Sequence, residues 1–251
     1  MRHQLFNPTG RRGADPPEPA APVRRAVSIA VGPVVLEGDL AIPPRAAGVV
    51  VFAHGSGSSR HSPRNKFVAS ELCKVGMATL LMDLLTRDEE RYEDDTGRLR
   101  FDIGLLADRL ASAARWLAAR GDVGSLPLGY FGASTGAAAA LVAAARRPEA
   151  VSAVVSRGGR PDLAGDALPA VRAPTLLIVG GEDGQVIELN RVAFDQLRCT
   201  KGLEIVPGAT HLFEEPGTLE EVARLAAGWF VRHLVAAGGT EREGTRGSAE
   251  A

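Results

Sequence analysis

The chain is 251 residues long and 45% hydrophobic, and its 29 basic and 30 acidic residues leave a formal net charge of -1. That length suffices to bury the core of a single domain, and the near-neutral balance gives no electrostatic reason to expect nucleic acid or a membrane surface as a partner. No apolar run approaches the ~20 residues that span a bilayer, the first 25 residues lack the apolar core of a secretory signal, and Cys73 and Cys199 alone cannot build a disulfide framework, so the default expectation is a cytoplasmic protein.

Residues 1–25 mix Arg, Pro and Ala without periodicity, and 238–251 are mostly Gly, Glu, Arg and small residues. Both are expected to be disordered tails flanking one domain over 26–237, because neither has apolar surface to bury. The domain opens on two strand-like runs, Ala26–Val31 and Val34–Ile42, around Gly32-Pro33, which predicts an antiparallel hairpin. Buried strands are then predicted near Val49–Ala53, Ala78–Asp83, Leu126–Phe131, Val151–Ser156, Thr175–Val179 and Leu203–Val206. Helices should separate them, as right-handed parallel crossovers require. Ile103, Leu106, Ala107, Leu110, Ala114 and Leu117 recur at helical spacing, as do Val222, Leu225, Ala226, Trp229 and His233. The pattern predicts an α/β fold with a mostly parallel twisted sheet and helices on both faces. The charged stretch from Thr86 to Arg100 reads as a solvated loop or a mobile flap. Only 15 residues separate Gly159 from Thr175, too few for a large helical lid.

Gly132-Ala133-Ser134-Thr135-Gly136 sits between the predicted strand ending at Phe131 and an alanine-rich helix stopped by Pro148. A serine on so sharp a turn projects its hydroxyl above the sheet, and the flanking glycines remove side chains that would clash. The bland alternative is a serine that only caps the following helix. Chain order breaks the tie. Asp183 follows the strand Thr175–Val179, and His211 follows Leu203–Val206 with turn residues between, so the order is nucleophile, acid, base. His211 is the base by position and by elimination: His3 lies in the tail, His61 on a loop, His233 on a helix face, and His54 reads as a brace for the loop after Val49–Ala53. Glu182 is the neighbouring alternative acid, with Asp83 and Asp162 in reserve. The loop His54-Gly55-Ser56-Gly57-Ser58-Ser59 matches neither a Walker loop nor Gly-x-Gly-x-x-Gly. With Thr135 it is expected to supply backbone donors, from Ser56 and Thr135, to an oxyanion.

With these residues in place the chain resembles the α/β-hydrolase superfamily, in particular its dienelactone hydrolase-like branch, over about residues 27–236. The resemblance rests on Phe52-Ala53-His54-Gly55-Ser56-Gly57, the Gly132–Gly136 turn, Gly181-Glu182-Asp183 and Ala209-Thr210-His211. His54–Asn65, Asp83-Leu84-Leu85-Thr86 and Ser156–Leu163 are similar to small hydrolases sometimes appended to phosphoribosyltransferase domains. Dienelactone hydrolase proper uses a cysteine nucleophile, where this chain has Ser134, so the family name labels fold and triad. The resulting expectation is a serine hydrolase acting on a small ester or lactone, with no metal or organic cofactor, since serine, base and backbone dipoles supply every part. The same residues serve thioesterase, amidase or peptidase chemistry, and the fold also hosts ligand-binding proteins with little turnover. Arg60, Arg64, Arg157 and Arg160 are expected to emerge at the rim of the sheet, where a guanidinium suits a carboxylate or phosphate; Arg60, Arg157 and Arg160, with His54, are candidate contacts for an anionic substrate. Their alternative is pairing with neighbouring carboxylates such as Asp162.

Overall fold

A computed structural model describes residues 21–235 of the chain. Eight strands form one sheet in the order β1-β2-β4-β3-β5-β6-β7-β8: β1 Val23–Val31, β2 Val34–Ile42, β3 Gly48–Ala53, β4 Met77–Met82, β5 Leu128–Ala133, β6 Ala153–Arg157, β7 Thr175–Gly180 and β8 Lys201–Val206. β1 and β2 run antiparallel through the two-residue turn at Gly32-Pro33, β2 is antiparallel to β4, and the remaining pairs are parallel. The fold is that of the α/β-hydrolases. Strand β1 begins at Val23, three residues before the expected domain boundary, while 1–20 of the expected N-terminal tail and all of the expected C-terminal tail, 238–251, lie outside the described residues.

The central strands are buried on both faces, and their side chains alternate between two cores. On β3, Val49, Val51 and Ala53 join one cluster, and Val50 and Phe52 the other. Helices α3 (Ile103–Ala118) and α4 (Thr135–Arg146), with the 3-10 segment Pro161–Ala170, cover the first face. The second face is covered by α1 (Pro63–Lys74) and α6 (Thr218–Phe230), and α5 (Gly184–Gln196) follows β7. Phe52 pairs in register with Phe131 across β3 and β5, with ring centroids 4.8 Å apart. This stacking fixes the two strands whose carboxyl ends carry the site.

The stretch from Thr86 to Arg100 corrects the expectation of a solvated loop. Arg87–Thr96 is a helix, α2, followed by a 3-10 turn at Leu99–Phe101. Thr86 accepts from the Glu89 amide while the Glu89 carboxylate accepts from the Thr86 amide, and Gly97 closes the helix at φ 66°. Arg109 of α3 donates to Glu89 at 2.6 Å, and Arg100 donates to the buried Glu93. The Arg109 pair ties α2 to α3, and the Arg100 bond ties it to the 3-10 turn that follows it.

Candidate active site

Ser134, Asp183 and His211 stand at the carboxyl ends of β5, β7 and β8, the edge of an open α/β sheet where ligands bind. Register brings the parts together: Ala53 lies opposite Gly132, Ala133 opposite Arg157, and Gly180 opposite Val206.

Ser134 has φ 50° and ψ -123°, a conformation that costs a non-glycine residue about 1–3 kcal/mol. Its surroundings enforce that geometry. The Ser134 carbonyl accepts from the amides of Ala137 and Arg160, at 3.1 and 3.0 Å, and its own amide donates to the Arg157 carbonyl at 3.4 Å. A Cβ at Gly136 would stand 2.6 Å from the His54 carbonyl oxygen, and one at Gly132 would stand 2.7 Å from the Ala137 nitrogen, so both glycines are needed for close backbone approach. Ser134 occupies the cap position of α4 but makes no side-chain capping bond. The plain helix-cap reading therefore has no hydrogen bond to rest on.

Asp183 repeats this pattern at the start of α5, where it too makes no side-chain capping bond. Its Oδ2 lies 2.6 Å from Nδ1 of His211. A proton on Nδ1 shared with this carboxylate leaves Nε2 as an acceptor, the tautomer a general base requires. Glu182 is exposed, Asp83 is paired with Arg60, and Asp162 takes Arg160 through two bonds of 2.9 and 2.7 Å. The residues after β6 connect serine and histidine, because a Cβ at Gly158 would fall 3.0 Å from the His211 carbonyl oxygen. Glu215, which the sequence reading missed, accepts from both the amide and the hydroxyl of Thr210, at 3.0 and 2.7 Å, and so holds the turn that carries His211. Thr-His followed four residues later by a carboxylate was the available signal.

Thr135 is the first residue of α4, where the amide has no intrahelical partner. Its Oγ1 lies 3.1 Å from Oγ of Ser56, bringing the two expected oxyanion turns side by side. His54 lies beneath them, with Nε2 accepting from the Leu84 amide at 3.0 Å and Nδ1 donating to the Gly55 carbonyl at 2.9 Å. Both ring nitrogens are thus spent inside the protein, in the bracing arrangement. Burial pushes this imidazole below its ordinary value, although the Gly55 bond and the Asp83 charge pull the other way. The folded state therefore holds His54 neutral, while the unfolded chain takes up a proton below about pH 6.5. Stability from this group is lost as pH falls through that unfolded value. The urea midpoint should thus drop between about pH 7.5 and about pH 5.5, and drop less in His54→Gln. An equal drop in both proteins would contradict the assignment.

The expected arginine rim needs correction. Arg60 pairs with Asp83 and Arg160 with Asp162, so both are occupied. Arg157 is buried rather than at the rim: its Nη2 donates to Oδ1 of Asn65 at 3.4 Å, and its guanidinium lies 5.8 Å from the centre of the Phe213 ring. Burial, with the like charge of Arg64, pushes it down to about 10, and it remains a cation at neutral pH. Sequence spacing placed these residues near the rim but could not show which carboxylates fold onto them. Among the described residues no group of three or more His, Cys, Asp or Glu side chains is arranged to hold a metal, and no helix is long and apolar enough to cross a membrane.

Sheet order, a strained serine at the β5–α4 turn, and an acid and histidine bonded after β7 and β8 define an α/β-hydrolase. The chain belongs to the dienelactone hydrolase family, whose model matches residues 36–230. It is 60% identical to the solved dienelactone hydrolase of Anabaena variabilis ATCC 29413, with a TM-score of 0.84 over 86% of this chain and 100% of that one. A Mycobacterium tuberculosis (strain ATCC 25618 / H37Rv) protein named as a phosphoribosyl transferase is 59% identical over 212 residues, covering 84% of this chain and 47% of that protein. The chain thus spans about half the length of this relative. Est1E from Butyrivibrio proteoclasticus shares the fold at 16% identity, with a TM-score of 0.70 over 83% of this chain and 98% of that one.

Proposed function

We propose that this hydrolase is a serine enzyme that cleaves a small carboxylic ester or lactone through an acyl-enzyme. The observation that carries the reading is the 2.6 Å bond from His211 to Asp183, made by an aspartate that stands at a helix start yet leaves its cap unmade. In this mechanism Nε2 of His211 removes the proton of Ser134 as Oγ attacks the carbonyl carbon. Asp183 stabilises the imidazolium that forms. The amides of Ser56 and Thr135 receive the negative oxygen of the tetrahedral intermediate, and the Ser56–Thr135 hydroxyl contact keeps the two turns in step. His211 then protonates the leaving alcohol, and water repeats the cycle on the acyl-serine.

The reading carries no requirement for an anionic substrate, because Arg60 and Arg160 already hold carboxylates and Arg157 is buried. The phosphoribosyl transferase named for the relative of about twice this length has no part in the chemistry proposed here. A panel of matched acyl esters, thioesters, lactones and anilides separates the bond classes. Turnover is expected to be fastest on the activated ester or the lactone. Preferred turnover of the anilides would replace the reading with an amidase, and absence of turnover across the panel would replace it with a binding protein.

A further inference from the structure

Helix α5 carries a polar side chain that the proposed chemistry does not use. Asn190 lies seven residues after Asp183, two turns into the helix that this aspartate opens, and it is 0% exposed. Asparagine is a poor residue for a helix interior, and a buried amide costs stability unless its hydrogen bonds are made. Yet Oδ1 of Asn190 has no hydrogen-bond partner among the described residues. Its Nδ2 donates to two carbonyl oxygens, those of Val186 at 2.8 Å and Gly159 at 3.0 Å. The first bond stays within α5, and the second leaves it for the turn after β6. The peptide group whose oxygen Asn190 holds joins Gly159 to Arg160, and the N–H of that same group donates to the Ser134 carbonyl at 3.0 Å. One peptide thus has the helix of Asp183 on one side and Ser134 on the other.

We propose that Asn190 is a positioning residue, which fixes the Gly159–Arg160 peptide and through it the backbone of Ser134; this rests on the serine-hydrolase reading above. The peptide needs such a hold. Adjacent glycines at 158 and 159 leave the turn soft, and a Cβ at Gly159 would fall 2.0 Å from Oγ of Ser156 and 2.6 Å from Cβ of Ala137, so no stiffer residue fits there. The Gly158 amide is tied to β7 through the Ile178 carbonyl at 2.8 Å, but the following peptide lies past the strand. Its N–H and C=O point in opposite directions, so rotating it breaks the bonds to Asn190 and to Ser134 together. Of the two amides on the Ser134 carbonyl, Ala137 belongs to α4, and Arg160 alone ties that oxygen to the turn after β6. A strained residue persists only where its surroundings over-determine it. The donor on the Gly159 carbonyl also polarises the peptide and strengthens the Arg160 N–H bond. Asn190 is wholly buried and touches no substrate, so its effect on rate passes through Ser134.

The test is the rate at which a fluorophosphonate labels Ser134 in the full chain, followed by intact-protein mass spectrometry. A variant that is only less stable loses labelling amplitude, whereas one with a displaced serine loses rate constant. Asn190→Leu keeps the size of the side chain and removes the donor, and should lower the rate constant at least about tenfold. Asn190→Asp gives an independent reading. Burial raises the introduced carboxyl above its usual range; ionised at about pH 8.5 it can only accept, and protonated at about pH 6 it can donate to the Gly159 carbonyl. The rate constant of Asn190→Asp relative to wild type should therefore rise several-fold as pH falls between those values. If Asn190→Leu does not fold, this pH response decides alone. A rate constant within about twofold of wild type in Asn190→Leu, or an Asn190→Asp ratio that does not change with pH, would overturn the role of Asn190 while leaving Ser134 the labelled residue. A wild type that gains no label at Ser134 would remove the serine-hydrolase reading, and the role of Asn190 with it.

Discussion

Ser134→Ala is expected to lower turnover of p-nitrophenyl acetate by at least about 10³-fold while the protein stays folded. The two residues share a Cβ, so the strained backbone at φ 50° is equally strained in either, and no capping hydrogen bond is lost because Ser134 makes none. Only the oxygen proposed to attack is removed. Thermal melting of the variant should overlay that of the wild type, which distinguishes loss of chemistry from loss of fold. A variant that keeps more than a tenth of wild-type activity would remove Ser134 from the mechanism.

Asp183→Asn is expected to cost about 10³-fold or more in kcat, against a change within about threefold for Glu182→Gln. The amide can present its NH₂ to Nδ1 of His211, which favours the tautomer with the proton on Nε2 and, in the proposed mechanism, leaves the serine without a base. It also withdraws the negative charge that stabilises the imidazolium. Asparagine suits a helix start as well as aspartate does, so α5 should be retained. The neighbouring Glu182 is exposed, and its backbone amide bonds to the Ala209 carbonyl at 3.0 Å, a contact the substitution leaves alone. A reversed ranking would move the acid to Glu182. Two mild variants would direct attention to Asp83 and Asp162 and the ion pairs that now hold them.

The parts of this fold that were legible in the sequence are those dictated by local sterics and apolar runs. Gly132 and Gly136 announce a close-packed turn, the uninterrupted valines and leucines of β3 and β7 announce strands covered on both faces, and Gly32-Pro33 announces the hairpin. Strand β5 was read two residues early because Leu126 is apolar, yet Pro127 lacks an N–H for the ladder and only its carbonyl is used, by Val49. Helix α2 was missed because it is almost wholly polar and gives no apolar period. Its capping box, Thr86 with Glu89, was the signal that reveals such a helix. The arginines failed for a different reason. Arg60 is matched by Asp83, 23 residues away, and Arg157 is buried against Asn65, 92 residues away, and such pairings are fixed by packing rather than by spacing. Candidate site residues were legible where each follows its own strand; which of their charges remain available to a substrate was not.

The most direct measurement is intact-protein mass spectrometry after treatment with a fluorophosphonate, followed by peptide mapping. A nucleophilic serine activated by His211 and Asp183 should gain one phosphonyl group on the peptide containing Ser134, with loss of esterase activity in step with labelling, and Ser134→Ala should gain none. A wild type that stays unlabelled, or labelling that maps to another residue and persists in Ser134→Ala, would contradict the serine-hydrolase mechanism.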